Sequence, residues 1–462
     1  CTFSGVGSSL LDSEGASNIN QKCAAMKHVD YFLENSDEVK ANTNDTLKYE
    51  DITASLAGKL ASYFASHARL NMSSEKELIA PSTAVSYLSA WKNVISNKFT
   101  DTHPEIPFFC KDQWGKFLNS VAKIKYRYCL KMGIPMVTPR EMATEKERGG
   151  ISKLCIWDGS GTFATFLAVV LTLFHIVGRT CEAAGLLKSQ LSLGSESSAS
   201  AEYPVLKVNV TRTKVQMDTA GIRTYPHRSN ILFDLHFSLA YSIIMNRSRN
   251  ASSDDIFSDF ALRTNIDNDE PSEKTTAGLF NYYAKKLTEL AEIYGEDNVV
   301  MGECQYFGEN NNMCFIPIKL KGHTIKRNGV SCLADELDIQ TLTFRCGWQV
   351  KNFHSAFDYI FNNKKKDSIC GKILSGWPKM VTNSTQSYPS NHEAIVSKKE
   401  SFRRFRHNLF YHENHFDISI KNFLTATVLR WLPNFIDLVF EDPQSRWVKK
   451  NHPLLEFMYE IC

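Results

Sequence analysis

The sequence has no Cys-x-x-Cys pair and no Cys/His cluster at zinc-ligand spacing, which excludes the common structural zinc modules. Its twelve cysteines fall singly, the pattern of reduced, mostly buried thiols in an intracellular protein. No Gly-rich loop of the nucleotide-binding type is present, so nothing points to a nucleotide cofactor. No apolar run reaches the ~20 residues of a membrane span. The longest, Phe163 to Val177, contains His175 and reads as a helix buried in a core. The first residues, which open at Cys1, show no basic stretch leading into an apolar one. The expectation is therefore a fragment or processed product without a secretory leader. Sequons at Asn44, Asn209 and Asn246 are accordingly not read as glycosylated. Charge of one sign is not in excess either: the net is +3, too little for a polycationic binder. There is no internal repeat.

What remains is an ordinary globular composition, 43% hydrophobic and 22% charged, in a chain of 462 residues, long enough for two or three domains. Hydrophobic spacing predicts a mainly α protein with a small β component, an α+β fold. Residues 1–48 are rich in Ser, Asn, Asp and Gly and read as a flexible arm, with one short helix near Ala24 to Glu34. Residues 49–132 form a small helical domain. Leu56, Leu60, Tyr63 and Phe64 mark one helix; Val85, Leu88, Trp91 and Ile95 mark a second, capped at Ser82 or Thr83. Trp114, Phe117, Leu118 and Val121 mark a third, which runs into a basic, aromatic stretch ending at Tyr128.

Residues 133–151 break the pattern and read as an exposed linker. A larger domain, 152–383, opens with helices near 162–177 and 179–188. A hairpin follows, from Val205–Val210 and Gly221–Tyr225 with a turn around Gln216 to Ala220. Helices return near 234–246, 275–294, 328–336 and 349–361. Residues 384–462 begin as a polar loop and end as an aromatic helical extension.

Five positions carry candidate chemistry. Arg179 follows the apolar helix and needs an anionic partner, which Glu182, three residues on, supplies on the same helical face. Lys214 lies near the tip of the expected hairpin. Gly322-His323-Thr-Ile-Lys326-Arg327 opens a helix with three basic groups, a setting that suits an anion. Arg345-Cys-Gly347-Trp348 leads, eleven residues past the tryptophan, to Tyr359. Asp367 precedes Cys370-Gly371-Lys372 and Gly376-Trp377.

Taken in order, Arg179…Glu182, Lys214, His323-x-x-Lys326, Trp348 and Tyr359 resemble the catalytic series of the tyrosine recombinase (phage integrase) family, most of all its eukaryotic, mobile-element-derived members. Leu56-Ala-Gly-Lys-Leu60-Ala-Ser-Tyr63 and Ser82-Thr-Ala-Val-Ser-Tyr-Leu88 resemble that family's helical, SAM-like core-binding domain. The likeness spans about residues 50–380.

It implies that Tyr359 attacks a scissile phosphate to form a 3′-phosphotyrosyl link. Arg179, oriented by Glu182, would bind the non-bridging oxygens through its fork. His323 would assist the phosphate or the tyrosine proton, Lys214 would protonate the leaving 5′-oxygen, and Trp348 would pack and donate its indole N–H. Such a site requires neither metal nor nucleotide. Where the family carries its second arginine this chain has Lys326, with Arg327 next. Lysine keeps the charge and loses the fork. The alternative expectation is thus a DNA-binding relative that does not cut. The resemblance also implies double-stranded DNA as partner, assembly as a tetramer on DNA, exchange of a C-terminal helix between neighbours, and a nuclear location in a eukaryote. Expected phosphate contacts are Lys123, Lys125, Arg127 and Lys131 in the helical domain and Arg140, Lys146 and Arg148 in the linker. The stretch Lys398 to His407, with Arg403 and Arg406, is a further basic, aromatic segment.

Overall fold

The computed structural model describes residues 16–35, 47–66, 81–99, 102, 109, 111–131, 142–197, 202–212, 217–218, 221–246, 254–257, 260, 276–302, 313–347, 364–377, 400–444 and 452–461. The architecture is mainly α with a small β part. The chain divides into two compact units, residues 1–140 and 141–462.

The first unit is built from helices α1 (Ala16–Asn35), α2 (Ala54–Ser66), α3 (Pro81–Phe99) and α4 (Lys111–Lys131). Helix α2 starts where the Thr53 hydroxyl accepts the Leu56 N–H at 3.2 Å, an N-terminal cap ahead of an Ala- and Leu-rich run. Leu56, Leu60, Phe64, Leu88, Trp91, Ile95, Trp114 and Val121 share one core, as their spacing predicts. Helix α1 is longer than expected. Met26, Val29 and Leu33 fall on one face and enter the same core, so residues 16–35 belong to the helical unit rather than to an arm.

The second unit is organised around α6 (Gly161–Ile176), whose residues from Phe163 to Ile176 are all buried. A helix apolar on every side has no solvent face and must be wrapped. It is packed by α5 (Glu145–Asp158), α7 (Thr180–Ala184), α8 (Leu235–Met245), α9 (Thr276–Tyr294), α10 (Gly322–Ala334) and α12 (Lys364–Leu374). Helix α11 (Ile339–Cys346) packs against both α10 and α12. The Asn246 amide, at the end of α8, donates to the Gly161 carbonyl and the Thr165 hydroxyl and so ties α8 to α6.

The sheet has three antiparallel strands in the order β1 (Leu191–Ser197), β2 (Glu202–Val208), β5 (Ile222–Thr224), with Leu191 opposite Val208 and Leu206 opposite Thr224. The short pair β3 (Thr211–Arg212) and β4 (Met217–Asp218) forms a hairpin between β2 and β5. Within the turn expected around Gln216 to Ala220, Met217 and Asp218 instead form strand β4, and β1, rich in Ser and Gly, was not anticipated. A parallel pair, β6 (Val299–Met301) and β7 (Cys314–Ile316), lies against α5.

Two expectations about boundaries are corrected. Residues 145–151 are not linker: Thr144 and Glu147 form a reciprocal capping box that starts α5. Its Gly150 faces β7 so closely that a Cβ there would sit 2.0 Å from the Phe315 carbonyl oxygen. The C-terminal segment is also no appendage. Helices α13 (Glu400–Phe410), α14 (Ile418–Phe440) and α15 (Pro453–Ile461) contribute Leu409, Phe423, Trp431, Phe435 and Leu454 to the core that holds α6. By length and composition α14 is apolar enough to cross a membrane, yet half of its apolar window is buried inside this unit. Two indoles fasten it there: Trp431 donates to Asp234 and Trp157 donates to the Leu438 carbonyl, both at 2.9 Å. The expected helix at 349–361 and most of the polar loop at 384–401 lie outside the described residues.

Candidate active site

Of the candidate residues, Arg179 and Glu182 lie just past the C-terminal turn of α6, and the start of α10 with His323, Lys326 and Arg327 abuts them. Helix α6 ends on Val177, a β-branched residue in the left-handed region (φ 50°), which costs about 1–2 kcal/mol. The turn lets Gly178 N–H reach the Leu173 carbonyl and Val177 N–H reach the Phe174 carbonyl. It also aims Arg179 back along α7. Arg179 caps α7, its own N–H donating to Glu182 Oε2 at 2.7 Å and its guanidinium Nη1 to Oε1 at 2.5 Å. The expected Arg179–Glu182 pair therefore forms. Its carboxylate side chain is 1% exposed and its guanidinium 24%, so the cation keeps an accessible edge.

Helix α10 abuts this turn. A Cβ on Gly322 would lie 2.1 Å from the Thr180 hydroxyl oxygen, and one on Gly329 would lie 2.8 Å from the Phe174 carbonyl oxygen. Glycine is required at both points for close approach rather than for unusual dihedrals. His323, next to Gly322, is exposed; Arg327 is half-buried. Lys326 turns inward: it is 8% exposed and its ammonium donates to the Cys346 carbonyl at 3.2 Å, the last residue of α11. Gly347 then ends α11 with φ 62°.

Beneath this surface lies a buried ion cluster that the sequence did not reveal as such. Arg345, fully buried, donates Nη1 to Asp367 Oδ1 at 2.5 Å and Nη2 to the carbonyls of His175 (2.7 Å) and Arg223 (3.2 Å). The second Asp367 oxygen accepts the Arg223 N–H at 2.7 Å, and the Arg223 guanidinium stands 3.8 Å from it. One carboxylate thus serves two guanidinium groups, and the cluster joins α6, β5, α11 and α12. Arg345 and Asp367 were visible as motif residues. Arg223 carried no signal, since a charged residue in a short strand reads as solvent-facing.

Arg148 is a correction. It is not a phosphate contact on a linker; it is 4% exposed, its guanidinium 3.5 Å from the centre of the Phe174 ring and 4.8 Å from that of Phe233, with Nη1 donating to Asn328 Oδ1. Burial pulls its pKa down to about 10, so it stays charged at neutral pH. Lys125, on α4, is corrected likewise: it is fully buried and is not an exposed phosphate contact. Lys123, Arg127 and Lys131 are exposed on α4, and Lys146 is exposed on α5.

Lys214 falls in residues 213–216, between β3 and β4, and lies outside the described residues, as do Arg140, Trp348 and Tyr359.

A second polar network flanks the site. His227 Nδ1 accepts the N–H groups of Ser229 and Asn230, and burial pulls its pKa down to about 4, with Arg148 and Arg430 adding to the shift. His175 donates Nε2–H to the Phe233 carbonyl and is held neutral by burial. Buried Asp234 caps α8 and accepts from His227 N–H and the Trp431 indole. Among the described residues no group of His, Cys, Asp and Glu is arranged to hold a metal ion.

The arrangement is a partly exposed guanidinium and an exposed imidazole on abutting helix starts, backed by buried cations. It suits binding of a tetrahedral oxyanion. No protein-family model matches the chain, and no curated protein matches it.

Proposed function

We propose that this protein binds duplex DNA and breaks and rejoins it through a tyrosine, in the manner of the tyrosine recombinases. In this reading the first unit is the helical DNA-contacting domain and the second the catalytic domain. The observation that supports it is a convergence of residues remote in sequence. Arg179 and His323 sit on helix starts that touch through Thr180 and Gly322, and Lys326 reaches the end of α11 just before Trp348. Two of the motif segments, 143 residues apart in sequence (Arg179 to Gly322), thus share one turn, which supports a common site for them.

The chemistry needs an oxyanion site and a nucleophile. Arg179, held from behind by Glu182, presents its open edge to a non-bridging phosphate oxygen. His323, exposed on the abutting start of α10, is the second group assigned to the same phosphate in this reading. The Tyr359 phenolate oxygen then forms a bond to phosphorus as the bond to the 5′-oxygen breaks, and Lys214 protonates that oxygen. In the reverse step a 5′-hydroxyl attacks and the phenolate leaves, so bond energy is conserved.

One observation favours a second reading, DNA binding without cutting. Lys326 is buried and spends a donor on the Cys346 carbonyl, where a forked arginine would be asked to face phosphate. Assembly as a tetramer on DNA and a nuclear location belong to the same proposal. Helix exchange by the C-terminal segment has no support in the fold, because those helices fill the core of their own unit.

The test uses a pool of randomised duplexes with bridging 5′-phosphorothiolates, whose thiol leaving group needs no acid and does not re-attack. A denaturant-resistant adduct that disappears in Tyr359→Phe supports the cutting reading. Duplex binding with no adduct supports the second. Neither binding nor adduct removes both.

A further inference from the structure

Helix α13 belongs to no part of the site just described. Its sequence, Glu-Ser-Phe-Arg-Arg-Phe-Arg-His-Asn-Leu-Phe, is sharply two-sided. Phe402, Phe405, Leu409 and Phe410 are buried against the second unit. Arg403, Arg404 and His407 are exposed on the opposite side, and exposed Tyr411 follows one turn on. The fourth basic residue, Arg406, is half-buried and donates to Asn422 at 2.6 Å, which pins α13 to α14. Glu400, the one carboxylate of the helix, lies 3.7 Å from Arg403 and is 76% exposed, a pairing weak enough to release.

The helix is also rigidly placed. Just beyond its end, Glu413 forms a fully buried ion pair with Lys188, at 2.5 Å, and the Phe416 ring lies 5.8 Å from the same ammonium. Lys188 is six residues past Glu182, on the segment that leaves α7. A buried pair of this kind is costly to break, so the segment just past α13 is fixed to the segment that follows α7. A basic face maintained in a fixed position, with its arginines not committed to buried partners, is what contact with a phosphate backbone requires.

We propose that the outer face of α13, through Arg403, Arg404 and His407, is a second contact surface for the phosphate backbone of duplex DNA. The proposal rests on the DNA-binding reading above. The contact is to phosphate and not to base edges, so it adds affinity without sequence preference.

Binding of the full chain to a labelled duplex of random sequence is measured across a series of salt concentrations. Three proteins are compared: the unaltered chain, Arg403→Gln/Arg404→Gln, and a control of equal charge change, Lys285→Gln/Lys286→Gln. The control lysines are 78% and 46% exposed on α9, where Glu289 engages both. Loss of two phosphate contacts lowers the magnitude of the slope of log K against log salt by about 2, and weakens binding equally on unrelated sequences. The control keeps the original slope, and Arg403→Glu/Arg404→Glu weakens binding further. An unchanged slope in the α13 variant, or an equal drop in the control, overturns the proposal while leaving DNA binding intact. Failure of the unaltered chain to bind any duplex overturns both.

Discussion

Replacing Asp367 with alanine strips the buried cluster of its only described carboxylate. The perturbation leaves Arg345 fully buried with Nη1 lacking its acceptor, leaves the Arg223 N–H without its 2.7 Å partner, and removes the counter-charge 3.8 Å from the Arg223 guanidinium. Breaking a buried pair from one side typically costs about 3–5 kcal/mol, because the remaining charge is uncompensated. Asparagine should recover little: one side of its amide is a donor, and both oxygens of Asp367 accept. Removing both charges, as in Arg345→Met/Asp367→Leu, takes away the unpaired ion and should be less harmful than Asp367→Ala alone. The His175 carbonyl still loses its donor, so recovery is incomplete. The assay is urea unfolding followed by tryptophan fluorescence, fitted with separate transitions for the two units. Asp367→Ala should shift only the transition of the second unit, and the double-mutant cycle should give a coupling of roughly 2–3 kcal/mol. A loss below about 1 kcal/mol for Asp367→Ala, or simple additivity, would refute the view that this cluster braces the site.

Acid should weaken the second unit before its carboxylates titrate. His227 and His452 have folded pKa values of about 4 and His236 of about 3, all pulled down by burial from an ordinary 6.5. The folded state therefore holds these rings neutral while the unfolded chain protonates them. The stability they confer is complete above about pH 6.5 and is lost as pH falls toward 4, by up to roughly 1.4 kcal/mol per pH unit for each. A urea midpoint for this unit that stays flat between about pH 7 and 5 would contradict that assignment. Ending the chain after residue 399 should leave the second unit unfolded, since Trp431, Phe435 and Leu454 are then missing from its core. Recovery of a soluble product with a cooperative second transition would show that the C-terminal helices are dispensable.

The sequence announced those elements whose local pattern and tertiary setting agree. Helix α6 was legible because an unbroken apolar run can only be buried, and α2 to α4 because their large residues recur on one face. Helix α5 was misread because its first turns, Glu-Lys-Glu-Arg-Gly-Gly, look solvated; the glycines are there to admit the β7 backbone, and nothing local signals that strand. Arg148 and Lys125 were misassigned because charge alone says solvent; for Arg148, two aromatic faces and an amide hold the guanidinium inside. The Arg179–Glu182 pair was readable because its partners are three residues apart on a helix. Arg345–Asp367 and Lys188–Glu413 were not readable as pairs, because 22 and 225 residues separate them and only the fold brings them together.

The burial of α8 under the C-terminal helices also bears on how the protein is made. Leu235 to Ile244 are wholly enclosed, and part of the cover comes from Phe435 and Leu454, roughly 200 residues downstream. At ribosomal speeds of about 5–20 residues per second, α8 has left the exit tunnel on the order of 10–40 s before its lid exists. The first unit, whose core closes within the first 140 residues, has no such wait. During synthesis the second unit is therefore an apolar surface in search of a partner, and its yield in the cell should depend on holding factors that the first unit can do without.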